Sequence, residues 1–169
     1  MEDTLDRSRL GPRRGFNLLK GLPLGRVAGI DVRLDASWFI IFALITFTLH
    51  SSLYVEHPGL PGWHLWLASL VGSALFFASI LAHELSHSLV ARGMGLDVHG
   101  ITLFLFGGVS GLKGEPRRAP EEAAIAVVGP VTSVVLGGFF LLLQLVFPDG
   151  SVAEDVVGWL GFINLMLAA

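Results

Sequence analysis

Three stretches of this chain are too long and too apolar for the interior of a small water-soluble domain. They are Ala36–Tyr54 (ASWFIIFALITFTLHSSLY), the run from Trp63 to Arg92, and Glu121–Phe147. Crossing bilayer hydrocarbon as a helix takes about 20 mostly apolar residues, and each stretch reaches that length. Composition agrees, with 53% hydrophobic and only 15% charged residues, where soluble domains carry about 25%. The chain has no cysteine, which excludes disulfides and thiolate metal sites. The predicted fold class is an α-helical polytopic membrane protein with three full transmembrane helices. A truncated fourth helix and a small membrane-associated β-hairpin or sheet complete it.

The connecting segments set the organisation. Residues 1–24 read as a polar cytoplasmic tail, its first fifteen or so disordered, and 25–169 as one intramembrane domain. No secretory signal is expected, since the first apolar run begins near Ala36 and lacks an A-x-A-like cleavage site. Gly25–Asp35 (GRVAGIDVRLD) alternates like one short strand, and Glu56–Gly62 (EHPGLPG) is a turn-rich loop. After the stop at Gly93–Gly95, the segment DVHGITLFLFGGVSGLKGEPRR holds an apolar run too short to cross as a helix. Two short strands turning at Gly107-Gly108 fit it, lying at the interface or buried in protein because open strands do not survive in lipid. Pro130, inside the third span, is expected to kink it. Val156–Ala169 is too short to span, so the sequence is expected to break off within a fourth helix.

Charge gives orientation. All 11 Lys and Arg lie before the first span or between Arg92 and Arg118, and the loops Ser51–Gly62 and Pro148–Asp155 have none. By the positive-inside rule the N-terminus and the 92–118 segment are cytoplasmic.

Near the cytoplasmic end of the second span stands HELSH, His83 to His87. Residues i and i+4 of a helix are about 40° apart and about 6 Å along the axis, so two imidazoles there can share one ion. Glu84, beside the first, is placed to take a proton from a water activated by the metal and pass it to a leaving amine. This is the zinc-peptidase reading of H-E-x-x-H. With 6 His among 169 residues, the pattern arises by chance about once in a hundred such chains. Each ionisable group in a membrane helix costs about 2.5–3.5 kcal/mol on insertion scales, and a metal compensates three of them economically. The plainer alternative is that HELSH marks the helix leaving the membrane, its charges among the headgroups.

From about Gly25 onward the chain resembles the site-2 protease family of intramembrane zinc metalloproteases (peptidase family M50), in particular its compact bacterial and archaeal branch. The resemblance is carried by GRVAGIDVRLDASW, AHELSHSLVARGMG, ITLFLFGGVSGL, EEAAIAVVGPVTSVVLG and GFINLMLAA, in that order. It implies cleavage of transmembrane or membrane-proximal peptide bonds near the cytoplasmic face, in regulated intramembrane proteolysis at the cell membrane. It also implies Zn2+ as cofactor, His83 and His87 as ligands, and Glu84 as catalytic base. Expected partners are the lipid bilayer and a membrane-spanning protein substrate such as an anti-sigma factor or membrane-tethered regulator, and no nucleic acid. Phe106, Gly107, Gly108, Ser133 and Asn164 are the residues it places beside the substrate. An unwound substrate would pair with a strand edge in Ile101–Phe106 or Val109–Leu112.

The chain departs from the family at three points. The family's third zinc ligand is an aspartate in a later Leu-Asp-Gly segment, which this sequence does not reach. The 169 residues alone are therefore expected to bind zinc poorly and cleave nothing. Ser133 stands where many relatives have asparagine; it either bonds weakly near the substrate or satisfies its own helix, the reading favoured here. Asp35 replaces a frequent histidine, with no evident reason. Asp97, His99, Glu121 and Glu122 are read as ordinary polar residues rather than substitute ligands, and His64 as out of reach. His50 and His57 are read as solvated on the outer side.

Two other functions compete: a non-catalytic membrane module that holds a peptide without cutting it, and a metal or proton transporter. The uncapped ending LMLAA argues against the first, and the sparse polarity of the first and third spans against the second.

Overall fold

The computed structural model describes residues 21–113 and 118–169. The disordered tail expected over the first fifteen residues lies outside the described residues, with Arg7, Arg9, Arg13, Arg14 and Lys20.

In chain order the elements are β1 (Leu22–Val27), β2 (Ile30–Leu34), α1 (Ala36–Glu56), α2 (Gly62–Gly93), β3 (Asp97–Phe104), β4 (Gly107–Lys113), α3 (Ala119–Gln144) and α4 (Val152–Leu167). Helices α1, α2 and α3 are each long and apolar enough to cross a membrane. Large apolar side chains such as Ile40, Phe47, Val135 and Leu142 stand exposed along them, as lipid-facing surfaces require. The chain is a membrane protein.

Small residues let the helices approach closely, the usual device where no water drives association. A Cβ on Gly72 of α2 would press on Leu49 and Val156, and one on Gly137 of α3 would lie 3.1 Å from the carbonyl oxygen of Gly161 in α4. One buried cluster, with Leu49, Leu53, Leu65, Phe140 and Leu160, joins all four helices. A second, with Ile30, Leu34, Phe77, Ile80, Ile101 and Leu103, packs the sheet against α1 and α2.

The strands differ from the sequence reading in two ways. The single strand expected over Gly25–Asp35 is a hairpin, because Ala28 (φ 50°) and Gly29 (φ 77°) adopt the left-handed geometry of a tight turn. Its second strand runs parallel to β3, pairing Val32 with Ile101 and Leu34 with Leu103, so the strands form one four-stranded sheet ordered β1-β2-β3-β4. The second hairpin turns at Leu105–Phe106 rather than at the glycines, which instead open β4, with Phe104 opposite Gly107. Strand β3 is therefore paired on both sides, and of the two edges considered only the one in β4 is free of a neighbouring strand.

The sheet is fastened to the start of α1 and to the end of α2. Arg92, in the last turn of α2, donates to the Ala28 carbonyl at 2.9 Å. Asp35 caps α1, accepting from the Ser37 amide at 2.9 Å and its hydroxyl at 2.6 Å, while its own amide donates to Leu103 at 2.8 Å. Ser37 Oγ in turn accepts from the Leu105 amide at 3.1 Å. The hydroxyl and amide of Ser37 hold the Asp35 carboxyl below the usual carboxylate range. The residue that had no evident reason in the sequence thus ties the start of α1 to the turn of the β3–β4 hairpin.

Candidate metal centre

His83 and His87 lie one turn apart on α2 and both face α3. Their Nε2 atoms are 3.1 Å apart. Two nitrogens on one tetrahedral ion, each about 2.0–2.1 Å from it, are separated by about 3.3 Å, so the pair is spaced to share a metal. The other ring nitrogens are engaged by α3. His87 Nδ1 donates to the Ile125 carbonyl at 2.5 Å, and His83 Nδ1 lies 2.8 Å from Ser133 Oγ. A carbonyl only accepts, so Nδ1 of His87 carries the proton and Nε2 presents a lone pair.

Ile125, Gly129 and Ser133 are spaced by four and form one stripe of α3. Antiparallel packing matches this stripe to His87 and His83. Gly129, buried at its centre, faces both imidazoles: a Cβ there would lie 2.6 Å from His83 Nε2 and closer still to that of His87. Any side chain at 129 would occupy the space beside the two lone pairs. The helix continues through Pro130, which brings Ser133 onto the same face.

Glu84 is half-buried and lies under the sheet, where a Cβ on Gly108 would press on its Cγ and stand 3.0 Å from its carboxyl carbon. Among the described residues, the group of three ligand-type side chains with donor atoms within 4.8 Å of one another is Glu56, His57 and Asp155. His83, Glu84 and His87 do not form such a group, so the carboxylate stands apart from the paired nitrogens.

The remaining residues singled out in the sequence divide. Gly107 and Gly108 begin the strand beside Glu84, and Phe106 at the hairpin tip is 86% exposed. Asn164 is fully buried on α4 and donates to Ser79 Oγ at 3.3 Å and to the Leu160 carbonyl at 2.8 Å. Ser133 does not bond its own helix as expected; its hydroxyl turns to His83. His50 and His57 are half-buried and partnered rather than freely solvated. His50 stacks on Trp66 with ring centroids 4.0 Å apart, and His57 pairs with Asp155 at 2.6 Å because α4 folds back against the end of α1. An apolar groove of about 540 Å³ lined by Leu67, Val71, Leu75 and Val156 lies away from HELSH. Sequence reasoning missed Ile125 and Gly129, although Gly-Pro at 129–130, four residues from each partner, was the available signal.

Known proteins resemble this chain in sequence and in fold. The sequence profile of Peptidase family M50 matches residues 71–169. The chain is 40% identical over 148 residues to sll0528 of Synechocystis sp., whose name assigns it provisionally to the zinc metalloproteases; the match covers 86% of this chain and 38% of that protein. It is 38% identical over 149 residues to Rip3 of Mycobacterium tuberculosis, named in the same provisional way, with 86% and 38% coverage. Its fold is similar to that of the site-2 protease from Methanocaldococcus jannaschii, at a TM-score of 0.59 and 27% identity, covering 88% of this chain and 62% of that one. The chain thus spans 38% of the length of these curated relatives. On the profile match and the shared fold, the chain belongs to peptidase family M50, the site-2 protease family.

Proposed function

We propose that this chain is part of a zinc-dependent endopeptidase that cuts transmembrane or membrane-proximal peptide bonds near the cytoplasmic face, in regulated intramembrane proteolysis. The observation that carries the reading is the pair of Nε2 atoms 3.1 Å apart, with both Nδ1 atoms engaged by α3. His83 and His87 hold the zinc, and the third ligand is the aspartate of the family's Leu-Asp-Gly segment. Bound there, zinc supplies the Lewis acidity that makes water a nucleophile at neutral pH and polarises the scissile carbonyl. Glu84 takes the proton from the attacking water and delivers it to the departing amine.

The sheet supports a mode of substrate binding. Strand β4 is the outer strand on its side, and its Gly108 lies directly against Glu84. A substrate segment unwound from its helix adds to β4 by main-chain hydrogen bonds, which presents the peptide bond extended beside the base. Phe106, Gly107 and Gly108 thus line the path of the substrate. A cytoplasmic placement of this end is supported by charge: Arg26, Arg33, Arg92 and Arg118 flank the sheet end, whereas Glu56, Asp149, Glu154 and Asp155 lie at the opposite end. The substrate class is a membrane-spanning protein, such as an anti-sigma factor or tethered regulator.

The test uses the full-length protein purified in detergent with a transmembrane peptide substrate. Wild type is expected to cut it and lose activity to a chelator, and Glu84→Gln to retain zinc while activity falls about 10²–10⁴-fold. Cleavage by Glu84→Gln at the wild-type rate would overturn the assignment. A zinc-loaded wild type that binds the peptide without cutting it would favour a non-catalytic binding module.

A further inference from the structure

The two imidazoles are held by unlike partners. His87 donates to a backbone carbonyl, which any residue at 125 provides, whereas His83 meets a side-chain hydroxyl that position 133 alone provides. We propose that Ser133 is a positioning residue of the metal centre. Its Oγ accepts the Nδ1 proton of His83, which fixes the ring and leaves Nε2 as a bare lone pair beside that of His87. The inference rests on the reading of His83 and His87 as zinc ligands.

Three observations bear on it. Ser133 is 0% exposed and lies at the α2–α3 contact, its hydroxyl turned to His83. The 2.8 Å contact is made at Nδ1, the nitrogen facing away from the partner imidazole, while Nε2 faces it at 3.1 Å. The ring is therefore oriented by the hydrogen bond rather than merely touched by it. Finally, the alternative tautomer would place a proton on Nε2 and remove the lone pair. A hydroxyl accepts the Nδ1 proton as readily as it donates to a bare nitrogen, so Ser133 accommodates the competent tautomer, and what its hydrogen bond sets is the orientation of the ring. Imidazole rotation about χ2 is soft, and no other hydrogen bond at Nδ1 of His83 competes with Ser133 among the described residues. Outer-shell partners of this kind typically contribute 10–100-fold in metal affinity.

The experiment measures zinc affinity of the full-length protein by competition with a chelator, for wild type, Ser133→Ala and Ser133→Thr. Ser133→Ala removes one oxygen at nearly constant volume. It is expected to weaken zinc about 10–100-fold, with Ser133→Thr staying within a few-fold of wild type and helix content unchanged in both. Wild-type affinity in Ser133→Ala overturns the proposal, as does a Ser133→Thr variant as weak as Ser133→Ala, which would make shape rather than the hydroxyl decisive. Should Ser133→Ala not fold, Ser133→Val and Ser133→Thr, nearly identical in shape, decide: zinc weakened in Ser133→Val alone supports the proposal, and equal affinity in the two sinks it. Failure of the underlying reading looks different: wild type itself would not bind zinc.

Discussion

Gly129 faces His83 with so little room that a methyl group on it would lie 2.6 Å from the imidazole Nε2. The space beside the two imidazoles, where the proposed ion would sit, is thus left open by a missing side chain on α3. Gly129→Ala is expected to abolish zinc binding, lowering affinity by more than the roughly 100-fold typical of losing an outer-shell partner. The helix itself would gain, since alanine is favoured over glycine by about 1 kcal/mol in a helix interior. Zinc affinity and helix content measured together separate the two effects. A Gly129→Ala variant that binds zinc like wild type would place the ion elsewhere than between the imidazoles.

Gly108 faces Glu84, the proposed base, in the same way. A methyl group there would press on Glu84 Cγ and come within 3.0 Å of its carboxyl carbon. Because the carboxylate ends a flexible side chain, Gly108→Ala should shift it rather than unfold the sheet. Turnover is expected to fall about tenfold or more, a fraction of the 10²–10⁴ a general base contributes, while zinc content stays at the wild-type level. Loss of zinc in Gly108→Ala would show that the strand supports the imidazoles and not Glu84.

These two glycines illustrate what the sequence made legible. The spans could be read because an apolar run of about 20 residues has few alternatives, and the helices α1, α2 and α3 end within three residues of the expected limits. HELSH could be read because i and i+4 share a face whatever surrounds them. The sheet was harder, since Val32 pairs in parallel with Ile101, a partner distant in sequence that no local pattern encodes. Gly107-Gly108 suggested a turn, because glycine is permissive in turns, but Gly108 is needed where backbone passes over Glu84, and Gly107 adopts a φ of 127° just after the turn. The partner of Ser133 depended on the register of α3 against α2, and serine on a helix usually bonds its own backbone. His57 looked solvated because the return of α4 to the end of α1 was not visible.

Asp35 carries the pH dependence that can be derived outside the spans. The hydroxyl and amide of Ser37 depress its pKa in the folded protein. A depressed carboxylate contributes stability that is present above its unfolded pKa of about 3.9 and is lost as pH falls through the folded value. Asparagine caps helices as well as aspartate does, so Asp35→Asn isolates the charge. Wild type is expected to melt above Asp35→Asn at neutral pH, and the difference to shrink as pH drops below about 4. A difference that persists unchanged at low pH would assign the effect to side-chain shape rather than to the carboxylate.

His57 and Asp155 close the opposite end of the bundle. His57 caps α1 and reaches Asp155 in the first turn of α4 at 2.6 Å, with side chains 12% and 32% exposed. Partial burial makes this contact stronger than an open surface pair, which is typically worth 0–1 kcal/mol, and hydrogen bonds to charged groups reach about 1.5–3 kcal/mol. Asp155→Asn is expected to lower stability by about 1 kcal/mol, read as a lower melting temperature in detergent. Since the pair lies at the other end of the helices from HELSH, zinc affinity there should be unaltered. If Asp155→Asn weakened zinc binding as well, α4 would have to transmit strain from this end to the imidazoles, most directly through Asn164 and Ser79, which stands one turn before His83 on α2. The double variant Asp155→Asn/Ser79→Ala would then show coupling, whereas independent sites would give additive losses.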